Sequence, residues 1–86
     1  MRETTKAKVM LLIKVYLKYI KKDGATAKEI YYFLNFDNWG LPGITTSQIA
    51  GVIQQKYYRN NDYMLHVVCE RPHDGKECKY KWVEDI

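Results

Sequence analysis

The apolar residues of this chain recur every three to four positions up to about residue 59 and every second position after Asp62. The first period lines one face of a helix and the second lines one face of a strand, so the two halves of the chain call for different backbones. Only one such switch occurs. The expected order is helix, helix, helix, hairpin, an α+β fold within a single domain over residues 1–86.

In "KVMLLIKVYLKYIKK" (8–22) the residues Val9, Leu12, Ile13, Tyr16, Leu17 and Ile20 share one helical face, while Lys14, Lys18, Lys21 and Lys22 stripe another. Asp23-Gly24 ends this helix, because glycine accepts the left-handed conformation that follows many helices. The second helix begins at about Thr26 in "TAKEIYYFLN", where Thr26 and Glu29 stand at capping-box spacing and Ile30, Phe33 and Leu34 face inward. The glycines and proline of "FDNWGLPG" exclude regular structure there, and Phe36, Trp39 and Leu41 give the connector apolar anchors. A third helix covers about 45–58. Its cap is Thr45, at capping-box spacing from Gln48, or Thr46; Ile49, Val52, Ile53 and Tyr57 form its inward stripe.

The hairpin occupies 64–83. Leu65, Val67 and Cys69 alternate with His66, Val68 and Glu70, and Cys78, Tyr80 and Trp82 alternate with Lys79, Lys81 and Val83. Gly24 and Ala25 add a short extended piece beside the last strand, since an isolated hairpin is only marginally stable. If both inward sets share a face, paired residue numbers have an odd sum. A four-residue "PHDG" loop then sets Cys69 opposite Cys78, within disulfide reach, and a two-residue "DG" loop sets Cys69 opposite Tyr80. Reduced core thiols are the expectation for a cytosolic chain.

Several function classes are disfavoured. Eighty-six residues support one modest core rather than a large buried catalytic cleft. No nucleophile, base and orienting group fall into a recognisable set, and no glycine-rich phosphate loop occurs, so no enzymatic activity, cofactor or small-molecule substrate is expected. The apolar run Val9 to Ile13 is far short of the ~20 residues that span a bilayer, so no membrane partner is expected. "MRETTKAK" lacks the apolar core of a secretory signal, which points to the cytoplasm. His66, Cys69, His73 and Cys78 are zinc-type ligands, but strand alternation turns His66 and Cys69 to opposite faces and no C-x-x-C knuckle occurs, so no metal is expected.

Charge favours a polyanionic partner. The net charge is +4, and residues 1–22 carry seven basic residues against Glu3, a local +6. A lysine-striped helix is also an ordinary solvated face. The third helix is more informative: with Ile49 and Ile53 inward, Ser47, Gly51, Gln54, Gln55 and Tyr58 come to the far side, and Thr46 and Gln48 stand at its start. Such a face suits the major groove, where glutamine pairs adenine and Ser or Thr bonds several base edges. Gly51 costs about 1 kcal/mol relative to alanine inside a helix, so close approach of DNA or of another helix is expected to compensate.

The element order, together with the third-helix pattern "T-x-x-I-A-x-V-I" and the closing segment "YMLHVVCERPHDGKECKYKWVED", resembles the winged helix-turn-helix superfamily over nearly the whole chain. Its lysine and tyrosine richness is similar to that of small archaeal regulators. The resemblance implies duplex DNA as the partner and a role in transcription regulation, with the third helix reading the major groove. It implies contacts from Thr46, Ser47, Gln48, Gly51, Gln54, Gln55, Tyr58 and Arg59, and wing contacts to the backbone from Arg71, His73, Lys76 and Lys79. A homodimer through helix one or the C-terminal strand would read palindromic sites. Two departures stand out. "NFDNWGLPG" is longer than the tight turn of a helix-turn-helix, and in the tip "RPHDGKE" Arg71 and Lys76 are offset by Asp74 and Glu77. The near-neutral tip also suits an alternative, a winged-helix protein-interaction module in a transcription or replication assembly.

Overall fold

A computed structural model describes residues 3–36, 43–55, 63–70 and 78–84. Helix α1 spans Glu3–Val15 and runs on into a π-helical turn, Tyr16–Ile20; β1 is Ala25–Thr26, α2 Ala27–Phe36 and α3 Thr46–Gln54. A 3-10 turn, Tyr63–His66, leads into β2, Val67–Glu70, and β3 is Lys79–Trp82. The fold is α+β, with an antiparallel three-stranded sheet in the order β1-β3-β2. The short strand at Ala25 therefore joins the last strand, as its sequence position led us to expect.

Helix α1 buries Val9, Met10, Leu12 and Ile13, and the π turn buries Tyr16 and Leu17. Ile20, expected on the same stripe, is 55 % exposed. The cause is the π turn: Lys21 N–H bonds the Tyr16 carbonyl five residues back at 2.6 Å, and the wider turn shifts later side chains away from the α-helical phase. The chain then reverses through a turn in which Gly24 N–H bonds the Lys21 carbonyl at 3.0 Å. Gly24 has φ +104°, and a Cβ there would lie 3.2 Å from the Tyr80 carbonyl oxygen. Glycine is required at that position both for the turn and for the approach of β1 to β3.

Much of the lysine stripe serves the fold. Lys14 and Lys18 place their ammonium groups 5.7 and 5.8 Å from the Trp82 ring centre, Lys18 pairs with Glu84 at 3.5 Å, and Lys21 pairs with Glu29 at 3.4 Å. These exposed or half-exposed pairs contribute little each, but they turn cationic groups toward the C-terminal strand and α2.

Both capping boxes form. At α2, Thr26 N–H bonds Glu29 Oε1 at 3.1 Å and Glu29 N–H bonds Thr26 Oγ1 at 3.2 Å. At α3, Thr45 is the cap, with Thr45 N–H to Gln48 Oε1 at 3.0 Å and Gln48 N–H to Thr45 Oγ1 at 3.1 Å. Ile44 and Ile49 occupy the flanking positions of a hydrophobic staple and are both buried. Tyr16 stacks on Phe33 with centroids 4.3 Å apart, and α3 packs on both α1 and α2.

The Thr26 N–H, and after it Lys21, hold the Glu29 carboxyl below its ordinary value of 4.5. A carboxylate whose folded pKa is depressed stabilises above its unfolded pKa and loses that stabilisation as pH falls through the folded one. The protein is therefore expected to lose stability as pH is lowered below about 4.5. Glu29→Gln, which keeps the capping acceptor but not the charge, should flatten that part of the stability curve in chemical unfolding measured at successive pH values. An unchanged slope would show that the α2 cap does not carry it.

The sheet corrects three sequence expectations and selects between the two registers the sequence left open. Leu65 lies in the 3-10 turn rather than on the strand, and Met64 beside it is the fully buried residue. The register pairs Val67 with Trp82 and Cys69 with Tyr80, the two-residue-loop alternative. Cys69 is exposed and Cys78 half-buried, so neither is a core thiol. The sulfurs are nonetheless joined in a disulfide, with Cα atoms 6.1 Å apart. Pairs set diagonally across a ladder still fall within disulfide reach, which an argument restricted to directly opposed residues overlooks.

Candidate nucleic-acid interface

Helix α3 turns Ile49, Val52 and Ile53 into the core. Thr46, Ser47, Gln48, Gly51, Gln54 and Gln55 are all exposed. The six described residues expected to contact DNA from the third helix are therefore solvent-facing, five of them in α3 and Gln55 at its C-cap. Gln48 is partly committed, since its side-chain oxygen accepts the Thr45 N–H and leaves only its amide nitrogen to donate outward.

The helix ends earlier than expected. Gln55 is its C-cap, with ψ 84° and its N–H bonded to the Gly51 and Val52 carbonyls at 3.2 Å. An end near residue 58 is thus corrected to Gln54, because Gln55 has already left helical geometry. Tyr57, Tyr58 and Arg59 lie outside the described residues, as do the wing positions Arg71, His73 and Lys76 and the connector anchors Trp39 and Leu41. Phe36 is the last residue of α2 and is 66 % exposed, so it is not a buried anchor.

Gly51 has a clear environment. A Cβ built on it meets nothing within 4 Å among the described residues. Close packing against another helix, one of the two compensations the sequence allowed, is therefore not supplied by α1 or α2 as described. An interior helix glycine costs about 1 kcal/mol relative to alanine, and no contact among the described residues offsets it.

The start of α3 borders a shallow concavity of about 470 Å³ lined by Ala27, Lys28, Thr46, Cys78 and Tyr80. This places the first turns of α2 and α3 and the start of β3 around one recess. Lys28 sits in the first turn of α2, the positive end of the helix dipole, where a cation is disfavoured by about 0.3–1 kcal/mol. That mismatch was the signal in the sequence, and the capping-box reading passed over it. Lys79 is exposed but alternates with Cys78 and Tyr80 along β3, so it belongs to the opposite face of the sheet. The structure thus brings Lys28, not Lys79, beside the helix-three face.

The remaining chemistry nearby is structural. Asn35 donates through Nδ2 to the Tyr31 and Ile44 carbonyls at 2.8 and 2.9 Å and accepts the Ile44 N–H at 2.9 Å. It ties the chain entering α3 to the last turn of α2, across a connector whose length alone would leave the two helices loosely related. His66 donates through Nδ1 to the Val83 carbonyl at 2.8 Å and stacks on Trp82 at 4.6 Å. Its ring supports the C-terminal strand. No protein-family model, curated protein or solved structure matches the chain.

Proposed function

We propose that this chain is a winged-helix protein that binds double-stranded DNA as a transcriptional regulator, laying α3 in the major groove with the β2–β3 hairpin beside it as the wing. The observation that carries this reading is Gly51: an exposed helix-interior glycine that none of the described residues approaches, in the middle of an uncharged polar face. A base-pair edge approaching that bare position recovers a cost that no contact among the described residues recovers. Ser47, Gln54 and Gln55 supply donors and acceptors for base edges. Lys28 and the first-turn amides of α3 supply phosphate positioning from the adjoining recess.

Titration against duplex DNA at several salt concentrations tests the reading. Affinity should fall steeply as salt rises. Gln54→Ala with Gln55→Ala should lower affinity by about 1–3 kcal/mol per lost base contact and relax sequence preference. Lys28→Ala should weaken all sequences alike and reduce the salt slope by about one. Absence of binding at low salt would overturn the proposal.

A second reading, a protein-interaction module, draws on a different surface. Tyr32 and Phe36 are 49 % and 66 % exposed, with ring centroids 5.4 Å apart. Exposed aromatic pairs of this kind are enriched at protein interfaces, and this reading takes over if duplex DNA does not bind.

A further inference from the structure

We propose that the Cys69–Cys78 disulfide is a redox-operated latch on the outer half of the β2–β3 hairpin, opened by a dithiol while the core stays folded. Resting on the DNA-binding reading, we infer further that opening it lowers the affinity of the α3 face for duplex DNA.

The two ends of the hairpin are held by different means. At the inner end Val67 and Trp82 face each other and are 1 % and 9 % exposed. His66 stacks on Trp82, and Val83 N–H bonds the His66 carbonyl at 2.8 Å. At the outer end Cys69 pairs with Tyr80 and Glu70 with Lys79, and Val68, Cys69, Glu70 and Lys79 are all exposed. On the β3 side Tyr80 packs half-buried against the core and pairs with the buried Ala25 of β1, so it is the β2 side, Val68–Glu70, that no buried residue covers among the described residues. Beyond the backbone ladder, it is secured by the bond between Cys69 and Cys78, whose Cα atoms stand 6.1 Å apart. The disulfide thus clamps the outer part of β2, which the core does not hold, to the better-anchored β3, so its loss loosens a local unit rather than the whole domain.

Exposure makes Cys69 the accessible sulfur. A thiolate of the dithiol attacks Cys69 Sγ, the S–S bond breaks, and Cys78 leaves as a thiolate and takes up a proton. The second thiol of the reagent then attacks the mixed disulfide, releasing Cys69 as a thiol and the reagent as a cyclic disulfide. The protein gains two electrons and two protons, and the dithiol loses them. Cys78 also lines the recess that holds Thr46 and Lys28. Freeing it therefore loosens one wall of the surface assigned to DNA, which couples the latch to α3.

The test compares the disulfide-bonded chain with the same chain treated with dithiothreitol without denaturant, and with Cys69→Ser/Cys78→Ser. Amide hydrogen exchange at residues 68–70 should quicken by about tenfold or more in both reduced and double-variant forms, with exchange at Leu12, Ile13, Leu17 and Ile49 unchanged. Duplex affinity should fall severalfold in the same two forms. The latch is overturned if the bond resists dithiothreitol until the protein unfolds, if hairpin exchange does not change, or if core amides quicken together with the hairpin. Equal duplex affinity in the two redox states overturns its coupling to α3. Quickened hairpin exchange with no duplex binding in either state supports the latch and removes the DNA-binding reading beneath it.

Discussion

Gly51→Leu is expected to raise the stability of this protein and lower its affinity for duplex DNA in the same molecule. The stability gain should be roughly 0.5–1 kcal/mol, from replacing a flexible helix-interior glycine by a good helix former, at an exposed position where none of the described residues lies within 4 Å of a Cβ. The affinity loss should be about 1–3 kcal/mol, the size of a base-edge contact displaced by an intruding side chain. Thermal or urea unfolding measures the first and duplex titration the second. Opposite signs are the signature, because a variant that merely damages the fold weakens both together. Unchanged affinity would remove α3 from the interface, and a destabilised variant would show that the space beside Gly51 is not open.

Asn35→Ala should be the most destabilising single polar substitution among the described residues. Its amide makes two hydrogen bonds to the backbone of Ile44, which is 2 % exposed, and a third to Tyr31. Truncation leaves the Ile44 N–H and carbonyl without partners in a site that water reaches poorly. At about 1–3 kcal/mol for each orphaned group, the expected loss is roughly 2–4 kcal/mol. Urea unfolding should show a lower midpoint at an unchanged slope. Asn35→Asp keeps the acceptor for Ile44 N–H but turns a carboxylate toward two carbonyls, so it should be destabilised as well. A loss below 1 kcal/mol in Asn35→Ala would show that the connector, and not this amide, sets the position of α3.

The importance of Asn35 was not legible because its partner is nine residues away and the intervening stretch carries no period. The same is true of Lys28. Its sequence neighbours explain a helix start, and only the placement of Thr46 and Tyr80 around it makes it part of a recess. Ile20 was misplaced for a different reason. A wheel drawn at 100° per residue assumes a regular helix, whereas the chain takes a π turn from Tyr16 to Ile20.

What the residues determined by themselves is the local order. The Thr26–Glu29 and Thr45–Gln48 boxes, the left-handed Gly24 and the change from helical to alternating periodicity all act within about four residues, so neighbours in the sequence suffice to dictate them. The strand register, the diagonal disulfide, the clamp from Asn35 and the environment of Gly51 were decided only by the tertiary structure. Two registers share the same inward-facing residues, and local energies do not separate them. The choice falls to contacts between segments distant along the chain, here Trp82 against Val67 and His66, and β1 against β3.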